Sequence, residues 1–204
     1  MLFLIDLDGT LIDSDHFHCE AWGRVLNMNP TEIDHIIKGE GMENYLSHEN
    51  FKELKTQKFE EMLKIEEINY IQNAEMFIDF IHEYDIKHAV VTHTDRKIVN
   101  HFKTKAPHLN KLENWVVRDD YINPKPHPEC YKLAIKRYGN GCEDIIGFEN
   151  TVHGLKSIKH VTNNTIKISR DTDYANVIRH IKTRFPKKFN NIQACAHKTL
   201  LKNI

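Results

Sequence analysis

Near the start of the chain stands the stretch LFLIDLDGTL, residues 2–11. Four apolar residues precede two aspartates that lie two positions apart, and a glycine follows them. A short apolar run bounded by turn residues is typical of a buried parallel strand. In an extended chain Asp6 and Asp8 would point the same way, and Gly9 permits a tight turn. The stretch therefore predicts a strand with a pair of carboxylates at its carboxyl end.

Four later apolar runs repeat this pattern, and segments with helical periodicity lie between most of them. The predicted strands are Leu2 to Ile5, His88 to Val91, Trp115 to Val117, Ile145 to Phe148 and Thr165 to Ile168. Alternation of strand and helix predicts an α/β fold, a three-layer core with a Rossmann-like parallel sheet covered on both faces.

The gap between the first two predicted strands is too long for one crossover helix. It contains three helical segments: Phe17 to Asn27, one that opens at Asn29-Pro30, and Asn50 to about Ile65. We therefore predict a small helical cap domain at residues 15–72, inserted into a core domain of residues 1–14 and 73–184. An insertion after the first strand lies over the carboxyl ends of the strands, where open α/β sheets bind ligands.

Residues 185–204 form a predicted basic tail. The final segment from Tyr174 to Ile204 has seven Lys and Arg residues and no acidic residue, and Ile192 to Leu200 show the spacing of a short amphipathic helix. Two interpretations remain open: a basic helix docked on an acidic body, or a tail for nucleic acid or another anionic partner.

Composition excludes several classes of protein. The 204 residues include 28 Lys and Arg against 29 Asp and Glu, a net charge of −1 that gives the whole chain no bias toward nucleic acid or membrane. No apolar run approaches the roughly 20 residues that span a bilayer, and the start lacks the basic region of a signal peptide. The four cysteines form no C-x-x-C pair. We expect a cytoplasmic monomer with reduced thiols.

Polar residues close the later strands as well. Thr92 ends one strand, Lys125 follows another between two prolines, and Glu149 and Asn150 follow a third. A carboxylate pair, a hydroxyl, an ammonium and a further carboxylate beside an amide are suited to phosphoryl transfer, in which one carboxylate attacks phosphorus and a second handles the proton of the leaving group. Taken alone, Asp6 to Thr10 could equally be a simple turn with a carboxylate cap.

Four motifs in order carry a resemblance to a known family. They are D-L-D-G-T-L at residues 6–11, V-V-T at 90–92, P-K-P-H-P-E at 124–129 and G-F-E-N at 147–150. The chain resembles the haloacid dehalogenase superfamily of phosphohydrolases, in the branch related to β-phosphoglucomutase and phosphoglycolate phosphatase. The motifs extend over nearly the whole chain.

This resemblance implies roles for individual residues. Asp6 would be the nucleophile that becomes an aspartyl phosphate, and Asp8 the general acid and then the base that activates water. The predicted phosphate-binding residues are Gly9, Thr92, His93 and Lys125. His93 would act through its backbone N–H, and its side chain would contact the leaving group. The predicted Mg²⁺ ligands are Asp6, Asp8, Glu149 and Asn150. The substrate would be a small phosphorylated metabolite. His18, near the entry to the cap, is either a proton carrier or hinge partner, or a packing residue.

The chain departs from the family pattern at two places. The family usually has aspartate at the position of Asn150, so one negative charge is missing from the metal site and weaker Mg²⁺ binding is expected. The cap arginine of phosphosugar mutases is absent after Lys38-Gly39, and Glu40, Glu43 and Glu49 would repel a second phosphate. We therefore predict a phosphatase. A phosphosugar mutase and a catalytically impaired binding or regulatory protein are the alternatives.

Overall fold

The computed structural model describes residues 1–38, 49–65 and 67–189. Its five strands are β1 (Leu2–Ile5), β2 (Lys87–Val91), β3 (Trp115–Val116), β4 (Ile145–Glu149) and β5 (Thr165–Lys167). All pair in parallel, in the order β3-β2-β1-β4-β5. The predicted α/β fold with a parallel sheet is confirmed, and each strand end lies within one residue of its prediction.

The central position of β1 decides where the site forms. Its Ile5 pairs with Val90 of β2 on one side and with Phe148 of β4 on the other. The residues after these three strands therefore meet at one edge of the sheet. Asp6 is the first residue beyond β1, so it lies in the middle of that edge.

Helices cover both faces of the sheet. In chain order, the α-helices of the described residues are α1 (Asp15–Leu26), α2 (Pro30–Lys38), α3 (Glu49–Ile65), α4 (Ala74–Glu83), α5 (Arg96–Lys105), α6 (Glu129–Tyr138), α7 (Val152–Lys159) and α8 (Tyr174–Arg184). Short 3-10 helices span Pro107–Lys111 and Arg118–Asp120. None of the helices in the described ranges has the length and apolar character to cross a membrane.

Alternate residues of β1 face opposite layers, as the period of a strand requires. Phe3 and Ile5 belong to one buried cluster, which includes Phe77 of α4. Leu2 and Leu4 belong to the other cluster, with α6 and α7. All four residues of β1 are buried, which explains why the strand is an uninterrupted apolar run.

Helices α1 to α3 lie between β1 and α4, where the cap is predicted. Phe59 of α3 contacts Phe17 of α1 and Phe102 of α5, with ring centroids 5.9 and 5.8 Å apart, so the helical region is packed against the core. The chain segments that enter and leave it are joined by a hydrogen bond from Asp13 N to Asn69 O, 2.8 Å. The boundaries 15–72 stay a prediction.

Some predicted features fall outside the described residues. They are the cap segment with Gly39, Glu40 and Glu43, and the amphipathic spacing from Ile192 to Leu200. The described part of the basic tail ends at Phe189, whose ring is buried 5.4 Å from the rings of Phe80 and Tyr84.

Candidate active site

Asp6 is a buried carboxylate with a partner on each oxygen. Its Oδ1 accepts a hydrogen bond from Lys125 Nζ at 2.7 Å, and its Oδ2 accepts one from the Thr10 hydroxyl at 3.0 Å. Only 6% of the residue is exposed. The structure therefore brings together Asp6 and Lys125, two of the site residues that the sequence predicted.

Lys125 is itself buried, and its ammonium has three partners. Nζ donates to Asp6, to Glu149 Oε1 at 2.6 Å and to the Val91 carbonyl at 3.0 Å. Burial alone would lower the pKa of Lys125, but the two carboxylates outweigh it and hold the pKa well above its usual value. The side chain is therefore a fixed positive charge beside Asp6.

Glu149 neutralises and orients Lys125. Its Oε1 also accepts the Tyr131 hydroxyl at 2.7 Å, and its Oε2 accepts the backbone N–H groups of Asn150 and Thr151 at 3.1 and 3.2 Å. A Cβ at Gly154 would overlap this carboxylate, so the glycine leaves room for it. Both oxygens are occupied at the start of α7. In this structure Glu149 is a charge partner of Lys125, and its role as a metal ligand stays a prediction.

Asp8 accepts hydrogen bonds from three hydroxyl groups. Ser14 donates to Oδ1 at 2.6 Å, and Thr92 and Thr94 donate to Oδ2 at 2.9 and 2.7 Å. His18 Nε2 lies 3.0 Å from Oδ1. Burial would raise the pKa of Asp8, but His18 and the hydroxyl donors dominate and hold it well below its usual range. These partners therefore favour the ionised form of Asp8.

Sequence reasoning did not identify Ser14 and Thr94 as site residues. Thr94 lies two positions after Thr92, a spacing that could have placed both hydroxyls on one side. Nothing comparable marks Ser14 except that it precedes α1. The hydroxyl of Thr92 contacts Asp8 here, so its predicted contact with phosphate stays a prediction.

Gly9 shapes the turn after Asp8. Its φ is +67°, a conformation that favours glycine, and its N–H donates to the Ile12 carbonyl at 2.8 Å. This N–H is therefore already occupied by Ile12, and the phosphate-binding role of Gly9 stays a prediction. Within the described ranges, the backbone N–H groups of Leu7, Asp8 and His93 make no hydrogen bond, and these three lie close to Asp6 in sequence or space.

The remaining residues fit a divalent cation. Asn150 Oδ1 is buried and has no hydrogen-bond partner among the described residues, as expected of a ligand oxygen. The carboxylates of Asp6 and Glu149 both contact the single ammonium of Lys125, and Asp8 adds negative charge close to Asp6. Burial and then Glu149 raise the pKa of Asp6 well above its usual value, against the effect of Lys125. The site therefore carries negative charge that a cation would balance.

Side-chain carboxylates and imidazoles alone do not complete such a site. In the part of the chain that the structure describes, no group of three or more His, Cys, Asp or Glu residues could hold a metal ion. The amide oxygen of Asn150 and the backbone carbonyl of Asp8 would have to join Asp6. Oxygen ligands of this kind suit Mg²⁺.

The imidazole of His93 contacts the loop that carries Lys125. Its Nε2 accepts the backbone N–H of Lys125 at 2.7 Å, and its ring lies 6.0 Å from that of Tyr121. The side chain therefore has a structural partner within the site.

Comparisons with known proteins agree with the fold and the motifs. The family model described as haloacid dehalogenase-like hydrolase matches residues 3–168. A phosphorylated carbohydrates phosphatase of Thermotoga maritima is 27% identical over 175 residues, which cover 76% of this chain and 79% of that protein.

Solved structures show the same fold. A hydrolase from Pseudomonas syringae has a TM-score of 0.70 at 21% identity, over 88% of this chain and 89% of that one. A candidate β-phosphoglucomutase from Thermotoga maritima has a TM-score of 0.62 at 22% identity, over 81% and 84%. At these identities the two structures support the fold alone.

Proposed function

Because the chain belongs to the haloacid dehalogenase-like hydrolases, we propose that it is a Mg²⁺-dependent phosphatase that hydrolyses a small phosphorylated metabolite through an aspartyl phosphate on Asp6. The phosphatase relatives support the class of phosphoric monoester hydrolase. The observation that carries the proposal is the buried pair of Asp6 and Lys125, 2.7 Å apart, with the Asp8 carboxylate beside it.

The first half of the reaction transfers the phosphoryl group to the enzyme. A carboxylate oxygen of Asp6 forms a bond to phosphorus as the bond from phosphorus to the leaving oxygen breaks. Asp8 donates a proton to that oxygen, which departs as an alcohol. Lys125 balances the charge of Asp6 and of the incoming phosphoryl group, and the unused N–H groups of Leu7, Asp8 and His93 are donors for its oxygens.

Asp8 has to gain a proton before it can act as an acid. Its hydroxyl donors and His18 favour the carboxylate in this structure. A bound phosphate dianion adds like charge nearby and raises the pKa of Asp8. His18 Nε2, 3.0 Å from Asp8 Oδ1, is the group through which a proton can reach the carboxylate.

The second half of the reaction reverses these roles. The ionised Asp8 takes a proton from a water molecule, whose oxygen attacks phosphorus and displaces the Asp6 carboxylate. Inorganic phosphate leaves, and Asp8 holds the proton needed for the next leaving group. One group thus acts as acid and then as base.

Asp6, the backbone carbonyl of Asp8 and the amide oxygen of Asn150 would hold Mg²⁺. When bound, the cation neutralises charge on the phosphoryl oxygens. Asn150 brings an oxygen but no charge, so we expect weaker binding than a carboxylate at this position would give.

We propose phosphorylated carbohydrates as the first substrate class to examine, because the curated relative from Thermotoga maritima acts on them by name. Glu20 of α1 and Asp34 of α2 are acidic residues in the described part of the helical region. Negative charge there disfavours a second phosphate, which supports hydrolysis over mutase activity.

The test is release of inorganic phosphate from a panel of sugar phosphates and other phosphomonoesters, with and without Mg²⁺. Asp6→Asn should abolish release, and Asp171→Asn, an exposed aspartate outside the site, is the matched control. Mass spectrometry of acid-quenched enzyme should find a phosphoryl adduct on Asp6. Conversion of glucose 1-phosphate to glucose 6-phosphate without phosphate release would favour the mutase. Substrate binding without turnover would favour the impaired relative.

A further inference from the structure

The loop that carries Lys125 has very few main-chain donors. Lys125 lies between Pro124 and Pro126, and proline has no backbone N–H. The N–H of Lys125 is therefore the only backbone donor in this tripeptide. It donates to His93 Nε2 at 2.7 Å. One side chain thus receives the only backbone hydrogen bond that these three residues can donate.

His93 is attached to a well-fixed part of the sheet edge. The preceding residue, Thr92, donates its N–H to the Val116 carbonyl at 3.0 Å, and its own carbonyl accepts the Tyr121 hydroxyl at 3.0 Å. The Thr92 hydroxyl also accepts the Thr94 N–H at 3.0 Å. These hydrogen bonds fix the main chain that precedes His93 at the ends of β2 and β3. The imidazole extends from this fixed position to the Lys125 loop.

We infer that His93 is a positioning residue, whose Nε2 holds the main chain of Lys125 where the ammonium can reach Asp6. The distances agree with this role, because the same lysine that is anchored through its N–H places Nζ 2.7 Å from Asp6 and 2.6 Å from Glu149. The inference deepens the proposed function and rests on it wherever turnover is measured. It gives the imidazole a role other than contact with the leaving group.

The hydrogen bond also fixes the state of the ring. Nε2 can accept from a backbone N–H only without a proton, so the neutral ring carries its proton on Nδ1. The charged groups around His93 also favour the neutral ring. Although part of the residue reaches solvent, desolvation lowers the pKa of His93, and Lys125, Arg118 and His153 lower it further, against the opposing effect of Asp8.

The kinetic test compares two variants at position 93. His93→Leu removes the acceptor, and His93→Gln keeps an acceptor oxygen at a similar reach. A misplacement of about 1 Å at a reacting centre can cost about 100-fold in rate. We expect His93→Leu to lower kcat by about 10- to 100-fold for every phosphomonoester, with a smaller change in KM, and His93→Gln to recover part of the loss. His160→Leu, at an exposed histidine, is the control.

A second measurement does not depend on turnover. Hydrogen exchange of the Lys125 amide, followed by NMR in the folded protein, should be faster in His93→Leu than in wild type and partly restored in His93→Gln. Unchanged exchange together with unchanged kcat would overturn the inference. So would a change of substrate preference that His93→Gln does not reverse, since it would assign His93 to the leaving group. If wild type releases no phosphate, the proposed function fails, while the exchange measurement still decides the positioning role.

Discussion

The Lys125 ammonium lies 2.7 Å from the Asp6 carboxylate, although the two residues are 119 positions apart in the chain. The same ammonium lies 2.6 Å from the Glu149 carboxylate. The negative charge of Asp8 is a further cause of the raised pKa of Asp6. One cation thus serves a group of buried carboxylates. This imbalance makes the site electrostatically costly in the absence of a bound cation, and it determines how the variants should behave.

Lys125→Met should destabilise the protein strongly. The substitution keeps much of the side-chain volume but leaves Asp6 and Glu149 as buried charges without their partner. Removal of one member of a buried ion pair costs about 3–5 kcal/mol. Urea unfolding of the metal-free protein measures the loss, with Lys156→Met at an exposed lysine as the control. A loss similar to that of the control would mean that water or protonation of Asp6 replaces the lysine.

Asp6→Asn should have the opposite effect on stability while it abolishes turnover. The pKa of Asp6 is higher in the folded protein than its value of about 3.9 in the unfolded chain. At pH values between the two, the native state therefore binds more protons than the unfolded state. In that range the free energy of unfolding falls as pH rises, by up to about 1.4 kcal/mol per pH unit. Asn does not titrate, and Lys125 keeps Glu149 as its partner.

Urea unfolding at pH 5 and pH 8 in the presence of a chelator tests this difference. Wild type should lose more stability than Asp6→Asn between the two values, and the variant should be the more stable protein at pH 8. A variant that is less stable than wild type at pH 8 would show that the ion pair with Lys125 outweighs the repulsion from Glu149 and Asp8.

The sheet could be predicted because β1 to β4 are short, mostly buried and largely apolar runs with turn residues after them. Parallel pairing then brings the ends of β1, β2 and β4 together, which is why Asp6, Thr92 and Asn150 were recognised as neighbours. Residue type and position along a strand were enough for this step. The direction in which each side chain points could not be predicted in this way.

The contacts of Glu149 and Gly9 show what residue type alone does not determine. Glu149 reaches back to Lys125 and Tyr131 because the start of α7 supplies donors for its second oxygen, a contact that depends on helix packing. The N–H of Gly9 is used inside its own turn, which depends on a φ of +67°. Neither the rotamer nor the dihedral angle can be read from residue type alone.

His18→Gln should slow reactions that need a protonated leaving group. Gln keeps a donor for Asp8 Oδ1 but cannot deliver a proton, and proton transfer by a positioned side chain contributes about 100- to 10,000-fold. We expect kcat to fall about 100-fold for an alkyl phosphate and to stay near wild type for p-nitrophenyl phosphate, whose leaving group needs little protonation. His35→Gln, at an exposed histidine of α2, is the control. An equal loss for both substrates would assign His18 to packing or cap closure instead.

Asn150→Asp should make stability depend on Mg²⁺. Asn150 Nδ2 and both Asp15 carboxylate oxygens lie within 2.7 Å of the place where a Cβ of Gly9 would be, so a carboxylate at position 150 would meet that of Asp15. Charges about 4 Å apart repel by about 1 kcal/mol in water and about 4 kcal/mol at an effective dielectric of 20. The melting temperature in a chelator should therefore fall, and Asp15→Asn in the same chain should restore it.

Because the carboxylate of Asn150→Asp adds a charge to the cation site, Mg²⁺ affinity measured by calorimetry should rise by about tenfold, equivalent to about 1.4 kcal/mol. Unchanged affinity would place the cation away from Asn150 and remove that residue from the proposed ligand set.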